Sequence, residues 1–318
     1  MPDTPEPSAA DTGPAESDVQ GMGGDASADV TLPDAGPVEV VAPEVSPSSC
    51  GESSLGPGDF DRTITGASGP PRYYHVHVPP SGALETAMPV VFVLHGYFDP
   101  WQRVRIVSRM NDVADERGFI AVYPEGRDET WNAGTCCGFA AHTATEDVAY
   151  VSTVLDEVQA SWCVDQKRVH AAGLSNGGMM ALRLGCELSE RIASVASVRG
   201  NLGVGACAPS RPVPVWILPA TADAALAPYS STSEVTLGAL LAGNGCAGAA
   251  PEVVFTQGAA SCSEYPACGA AGVVRACVAG EAASDWPGGT NWFTRETPES
   301  DLDASSEMAD FFAAHPMP

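Results

Sequence analysis

Basic residues are scarce in this 318-residue chain: 15 Lys and Arg stand against 40 Asp and Glu, a formal net charge of −25. Binding to nucleic acid or to an anionic membrane surface needs the opposite sign, so both are excluded as principal partners. Residues 1–49 have no Lys, Arg or aromatic residue at all, and carry ten Asp or Glu among repeated Pro, Ala, Ser and Gly. Such a segment cannot bury enough apolar surface to offset its ordering entropy, so a disordered acidic tether is expected there. Removing its ten charges leaves −25 + 10 = −15 on residues 50–318, a length that suits one large α/β domain. No apolar run is long enough to cross a bilayer, no internal repeat is present, and the start, Met1-Pro2-Asp3-Thr4, lacks the basic and apolar regions of an export signal. The ten cysteines lack the paired Cys-x-x-Cys spacing of zinc knuckles. Disulfides in an oxidising compartment are the expectation, with the adjacent Cys136 and Cys137 bonding to different partners. Neither a metal nor a cofactor is called for.

The most informative segment runs from Arg168 to Leu184. An apolar run, Val169 to Leu174, delivers Ser175 between Gly173 and Gly177, and an amphipathic stretch of small residues follows. That is strand, sharp turn and helix, the pattern of a nucleophile elbow. The turn strains the serine backbone, and a Cβ at either flanking position would collide with a neighbouring element. Ser175 Oγ then stands above the sheet, with the amide of Asn176 aimed where an oxyanion would form.

Around this segment, strands and helices alternate. Arg72–Val78 reads as an early antiparallel strand, and Met88–Leu94 as a strand buried on both faces, ending in His95-Gly96-Tyr97. A helix over 102–117 is expected next, then the strand 119–123. A helix over 146–162, opened by a Thr143-x-x-Glu146 capping box, precedes the elbow. Residues 192–198 and 213–218 read as further strands. The fold class is α/β, a mostly parallel sheet with helices on both faces. Chemistry in such sheets collects at the carboxyl ends of the strands. There stand, in chain order, His95-Gly96, Ser175 and Thr221-Ala222-Asp223: oxyanion strand, nucleophile and acid, the order of an α/β-hydrolase fold.

From about residue 72 to 315 the chain resembles the secreted polyhydroxybutyrate-depolymerase and feruloyl-esterase group of α/β-hydrolases. The resemblance rests on Leu94-His-Gly96, Trp131-Asn-Ala-Gly-Thr-Cys-Cys-Gly138, Glu146-Asp-Val148, Gly173-Leu-Ser-Asn-Gly-Gly178, Thr221-Ala-Asp223 and Trp286-Pro-Gly-Gly289. It implies an extracellular or cell-surface, metal-free, monomeric serine esterase acting on polyesters, short acyl esters or aromatic plant-wall esters. Carried over, Ser175 is the nucleophile and Asp223 the acid; Gly96, Tyr97 and Asn176 form the oxyanion hole, and Trp131 and Trp286 line the substrate pocket. It also implies a Cys246–Cys268 bridge. The catalytic histidine of the group stands two residues before the Trp-Pro-Gly-Gly tryptophan, where this chain has Ser284. Without an imidazole the serine stays a neutral alcohol. His142, in the long loop after a strand end, is the one substitute base worth testing. The other histidines read as structural: His95 fixing its loop, His75 and His77 on a solvated strand face, His170 in the core and His315 at the surface. Two readings remain open, an esterase with a relocated or weakened base and a hydrolase fold used only for binding.

Overall fold

The computed structural model describes residues 55–65, 70–81, 86–205, 207–219, 231–246, 248, 250–265, 268, 272–280 and 285–318. The expected tether (1–49), Asp223 and Ser284 lie outside the described residues.

Ten strands form one sheet: β1 Gly58–Ile64, β2 Arg72–Val78, β3 Met88–Leu94, β4 Ile120–Pro124, β5 Val164–Leu174, β6 Ser194–Val198, β7 Val215–Leu218, β8 Glu252–Gln257, β9 Ala260–Tyr265 and β10 Val274–Val278. Their order is β1-β2-β4-β3-β5-β6-β7-β10-β9-β8, parallel from β4 to β10 and antiparallel at both margins. The helices are α1 Trp101–Ser108, α2 Met110–Arg117, α3 Gly138–His142, α4 Asp147–Ser161, α5 Asn176–Glu187, α6 Ser233–Gly243 and α7 Ala304–Ala314.

The continuous apolar run of β3 follows from burial on both faces. Val90, Phe92 and Leu94 pack with α4, α5 and α6, whereas Val91 and Val93 face α1, α2 and α7. The chain moves from β3 outward to β4, then returns past β3 to place β5 on its other side. That reversal opens a crevice between the carboxyl ends of β3 and β5, where open α/β sheets bind ligands. Strand order and crevice together are those of an α/β-hydrolase.

Three local expectations are corrected. The helix expected over 102–117 is two helices, broken at Arg109 in the left-handed region (φ 55°). The carbonyls that would continue α1 are taken by distant groups: Val107 O accepts the Thr290 N–H (3.1 Å) and Ser108 O the Ser305 hydroxyl (2.6 Å). The Thr143–Glu146 capping box does not form, because Thr143 caps the end of α3 and its hydroxyl donates to Phe139 O (2.8 Å). Cys136 and Cys137 bond to each other. Their loop folds back on Trp131 and Ala133 through Cys137 N–H to Trp131 O (3.0 Å) and Ala133 N–H to Cys136 O (2.7 Å).

Those bridges are Cys186–Cys207, Cys246–Cys268 and Cys262–Cys277, and Cys163 is disulfide-bonded as well. Every described cysteine is therefore oxidised, consistent with an oxidising compartment. No described helix is long and apolar enough to cross a membrane.

Candidate active site

Strand β5 ends at Leu174 and α5 begins at Asn176, leaving Ser175 as the whole turn, at φ 52° and ψ −116°. Its N–H donates to Val198 O (2.8 Å) at the end of β6, and its carbonyl accepts from Met179 N–H (2.9 Å) in the first turn of α5. These bonds hold the strained conformation. The flanking glycines are sterically required: a Cβ on Gly173 would overlap the Gly177 carbonyl, and one on Gly177 would overlap the carbonyl oxygens of Leu94 and His95. Gly200 is equally confined, since a Cβ there would lie 2.6 Å from Ser175 O. From Val169 to Leu182 every residue is buried except Ser175. The helix begins with N–H groups that have no carbonyl four residues back, so its first turn faces the crevice with unpaired donors and a positive dipole end.

The neighbouring loop is locked to this elbow. The Asn176 side chain accepts the Trp131 N–H at Oδ1 (2.8 Å) and donates from Nδ2 to Trp131 O (3.1 Å). Asn132 N–H donates to Asp147 (2.7 Å), whose other oxygen pairs with Arg72 at 2.7 Å, and Arg183 donates to Asn132 O (2.6 Å). Burial raises the Asp147 pKa, with the Arg72 charge opposing. The Trp-Asn-Ala-Gly-Thr-Cys-Cys-Gly motif is thus a rigid wall of the crevice. Sequence reading missed Arg72, Asp147 and Arg183 as its supports, because each is far along the chain from the loop it holds.

All six histidines are described, and none bonds to Ser175. His95 accepts the Gly126 N–H at Nε2 (2.8 Å), so its proton sits on Nδ1, 2.8 Å from Gly96 O. It clamps the end of β3. His170 bonds Ser194 Oγ (2.8 Å) and stacks on Phe312 in the core. His142 is exposed at the end of α3 and makes no hydrogen bond to Ser175. His315 is half-buried, bonded to Phe311 O (2.7 Å).

The reading of His75 and His77 as a solvated face is corrected: they are 5% and 9% exposed. His75 contacts Asp61 (2.8 Å) and Asp59 (3.0 Å); His77 contacts Asp59 (3.1 Å) and Asp115 (2.9 Å). The carboxylates of β1 and α2 fold over them. Burial pushes the Asp59 carboxyl up, but the bonds from His77 and His75 bring it below its ordinary value.

The pocket placement of Trp131 and Trp286 is corrected as well. Both are fully buried, and each indole N–H is satisfied inside the protein, Trp131 by His95 O (3.0 Å) and Trp286 by Ser305 Oγ (2.9 Å). Gly96 is buried at the end of β3, whereas Tyr97 is 43% exposed. Asp285, next to position 284, is exposed and held by Arg103 (2.7 Å) and Arg199 (3.8 Å); Arg103 also pairs with Asp99 in the loop after Gly96.

Buried neutral histidines make stability depend on pH. Burial lowers the His95 pKa to about 4 and that of His170 to about 3. Below the ordinary value of about 6.5 the unfolded chain takes up protons that the native state refuses, so stability falls as pH falls. Glu125, raised by burial to about 7, works the other way between pH 7 and its ordinary value. The histidine contribution is therefore read as a difference: His170→Gln should remove up to about 3 kcal/mol of the stability lost between pH 6.5 and 4. Urea unfolding of both proteins at several pH values measures it, and parallel curves would show that another group is responsible.

A strained serine at the carboxyl end of a central strand of this sheet defines the class: an α/β-hydrolase with a nucleophile elbow. The chain matches the esterase PHB depolymerase family over residues 72–208. It is 33% identical over 211 residues to NocK of Nocardia uniformis subsp. tsuyamanensis, named as a candidate esterase, covering 61% of each chain. It is 30% identical to feruloyl esterase B of Piromyces equi, over 50% of this chain and 31% of that one. It is 29% identical to the bifunctional acetylxylan esterase/xylanase XynS20E of Neocallimastix patriciarum, over 48% of this chain and 21% of that one. The chain thus spans less than two thirds of each of these relatives.

Proposed function

We propose that this protein is an extracellular or cell-surface carboxylic-ester hydrolase with Ser175 as nucleophile and Asp223 as acid. The observation that carries the reading is Ser175 itself, strained and half-buried in a stretch that is otherwise fully buried. Ser175 Oγ adds to the ester carbonyl, and the oxyanion that forms is held by N–H groups at Asn176 and in the Gly96-Tyr97 turn. Collapse of the tetrahedral adduct expels the alcohol and leaves an acyl-serine that water cleaves. The oxidised cysteines support a site of action outside the cytosol. Polyesters, short acyl esters and aromatic wall esters are the substrate classes this reading admits.

One observation favours a second reading, a hydrolase fold that binds esters without efficient turnover. No histidine touches Ser175, and position 284 is a serine. Loss of one member of a triad costs on the order of 10⁴ to 10⁶ in turnover. A fluorophosphonate probe separates the two. The esterase reading expects selective labelling of Ser175 within minutes, absent in Ser175→Ala. Labelling no faster than that of other serines would leave the binding protein.

A further inference from the structure

Three of the bridges, Cys186–Cys207, Cys246–Cys268 and Cys262–Cys277, join residues 21, 22 and 15 positions apart, whereas Cys136 and Cys137 are neighbours. A bridge stabilises a protein chiefly by closing a loop in the unfolded chain, and a bridge between neighbours closes none. Whatever a bridge contributes to the fold, the fold returns as resistance to its reduction. By that linkage the three loop-closing bridges gain about 30- to 700-fold protection against a reductant, and the Cys136–Cys137 bridge gains none of this kind. The adjacent pair is not a staple, and opening it leaves the fold standing.

Its position gives it another role. The pair stands in the loop that the elbow is tied to, with Cys136 fully buried and Cys137 half-buried. The Cys137 N–H donates to Trp131 O (3.0 Å), and the same oxygen accepts from Asn176 Nδ2 (3.1 Å). Asn176 Nδ2 also lies 3.9 Å from Cys136 Sγ, and Asn176 Oδ1 accepts the Trp131 N–H (2.8 Å). One carbonyl oxygen thus joins the backbone of the bridge to the residue that follows Ser175. When the bridge opens, two bonded sulfurs must part to van der Waals contact and each gains a proton. Around the fully buried Cys136 the packing is close, so the room comes from movement of its own loop, and that loop is fastened at Trp131 O.

We propose that the Cys136–Cys137 bridge is a thiol–disulfide exchange site, open to dithiols, that governs the Asn176 end of the elbow. A thiolate of the dithiol attacks Cys137 Sγ, the half-buried sulfur, and Cys136 Sγ leaves as a thiolate that takes up a proton. The second thiol of the reagent then attacks the reagent's sulfur in the mixed disulfide, releasing Cys137 Sγ, which takes up the second proton. Two electrons pass from the dithiol to the bridge, and the reagent ends as its cyclic disulfide. Oxidised, the loop holds the Asn176 side chain; reduced, it lets that side chain go. The effect on catalysis rests on the ester-hydrolase reading of Ser175, whereas the exchange itself does not.

The test uses the full chain and dithiothreitol. The native protein is equilibrated over a series of dithiothreitol concentrations, quenched in acid, alkylated in urea and mapped by peptide mass. Cys136 and Cys137 should be alkylated at concentrations at least about tenfold below those that open the three loop-closing bridges. At that stage hydrogen exchange of the Trp131 N–H should quicken by at least about tenfold, while the amides of α7 keep their rates. A Cys136→Ser, Cys137→Ser protein should show the faster Trp131 exchange without reductant; the reduction series of the unaltered chain decides alone where that protein does not fold. Fluorophosphonate labelling of Ser175 should slow by about 10² on reduction, the scale of one oxyanion donor, and recover on reoxidation. Alkylation of Cys136 and Cys137 only together with the other bridges would overturn the proposal, and so would their early reduction with unchanged exchange at Trp131. Early reduction and faster exchange in a protein whose Ser175 resists fluorophosphonate in both states would instead overturn only the hydrolase reading.

Discussion

Gly177→Ala should destabilise the protein by about 3–5 kcal/mol, the range of severe core lesions. The added Cβ would overlap the carbonyl oxygens of both Leu94 and His95, which belong to the backbone at the end of a central strand and cannot rotate aside. Relief requires α5 to withdraw from β3, and the Ser175 turn must move with it. Gly238→Ala in α6 is the control, because nothing lies within 4 Å of a Cβ there. It should be neutral or stabilise by up to about 1 kcal/mol, the ordinary gain of alanine over glycine inside a helix. Urea denaturation of the two variants beside the wild type measures both effects. A Gly177→Ala midpoint close to that of Gly238→Ala would show that the elbow is not confined as described.

Ser284→His should raise hydrolysis of a p-nitrophenyl butyrate-type ester by at least about 10², the usual scale for a positioned general base. The substitution supplies an imidazole at the position where the resemblance to the feruloyl-esterase group places a catalytic histidine. It would take the Ser175 proton as the oxygen attacks and return it to the leaving alcohol. Addition of Ser175→Ala should abolish the gain, since free imidazole alone cleaves activated esters slowly. The neighbouring Asp285 is already tied to Arg103 and Arg199, so the segment has a fixed point beside the new side chain. Wild-type turnover equal to that of the variant and lost in His142→Ala would show that the base has moved to position 142. Absence of activity in both proteins would favour the binding protein.

Much of the fold was legible because its signals are local. The unbroken apolar run of Met88–Leu94 requires a strand covered on both faces, and the glycines around Ser175 require a turn with no room for a Cβ. Both are properties of a few consecutive residues, and both reappear in the sheet. The β8–β9–β10 margin was not legible. Its strands are short and largely exposed on β8, so no periodic burial marks them, and the Cys262–Cys277 bridge joins two of them across the sheet.

Side-chain fate depends on partners remote in the chain, and there local reading failed. Arg109 interrupts a helix because Thr290 and Ser305 take its last carbonyls. His75 and His77 are covered because Asp59 and Asp115 arrive from another strand and a helix. Trp131 and Trp286, flat rings suited to a pocket, are drawn into the core by acceptors at His95 and Ser305. The sequence by itself determined the class of sheet and the strained turn at Ser175, because backbone sterics and alternation act over a handful of neighbours. Only the tertiary structure decided which aromatic rings are buried and which histidines are spent elsewhere. Those outcomes turn on burial and hydrogen-bond satisfaction between residues that meet only once the chain has folded.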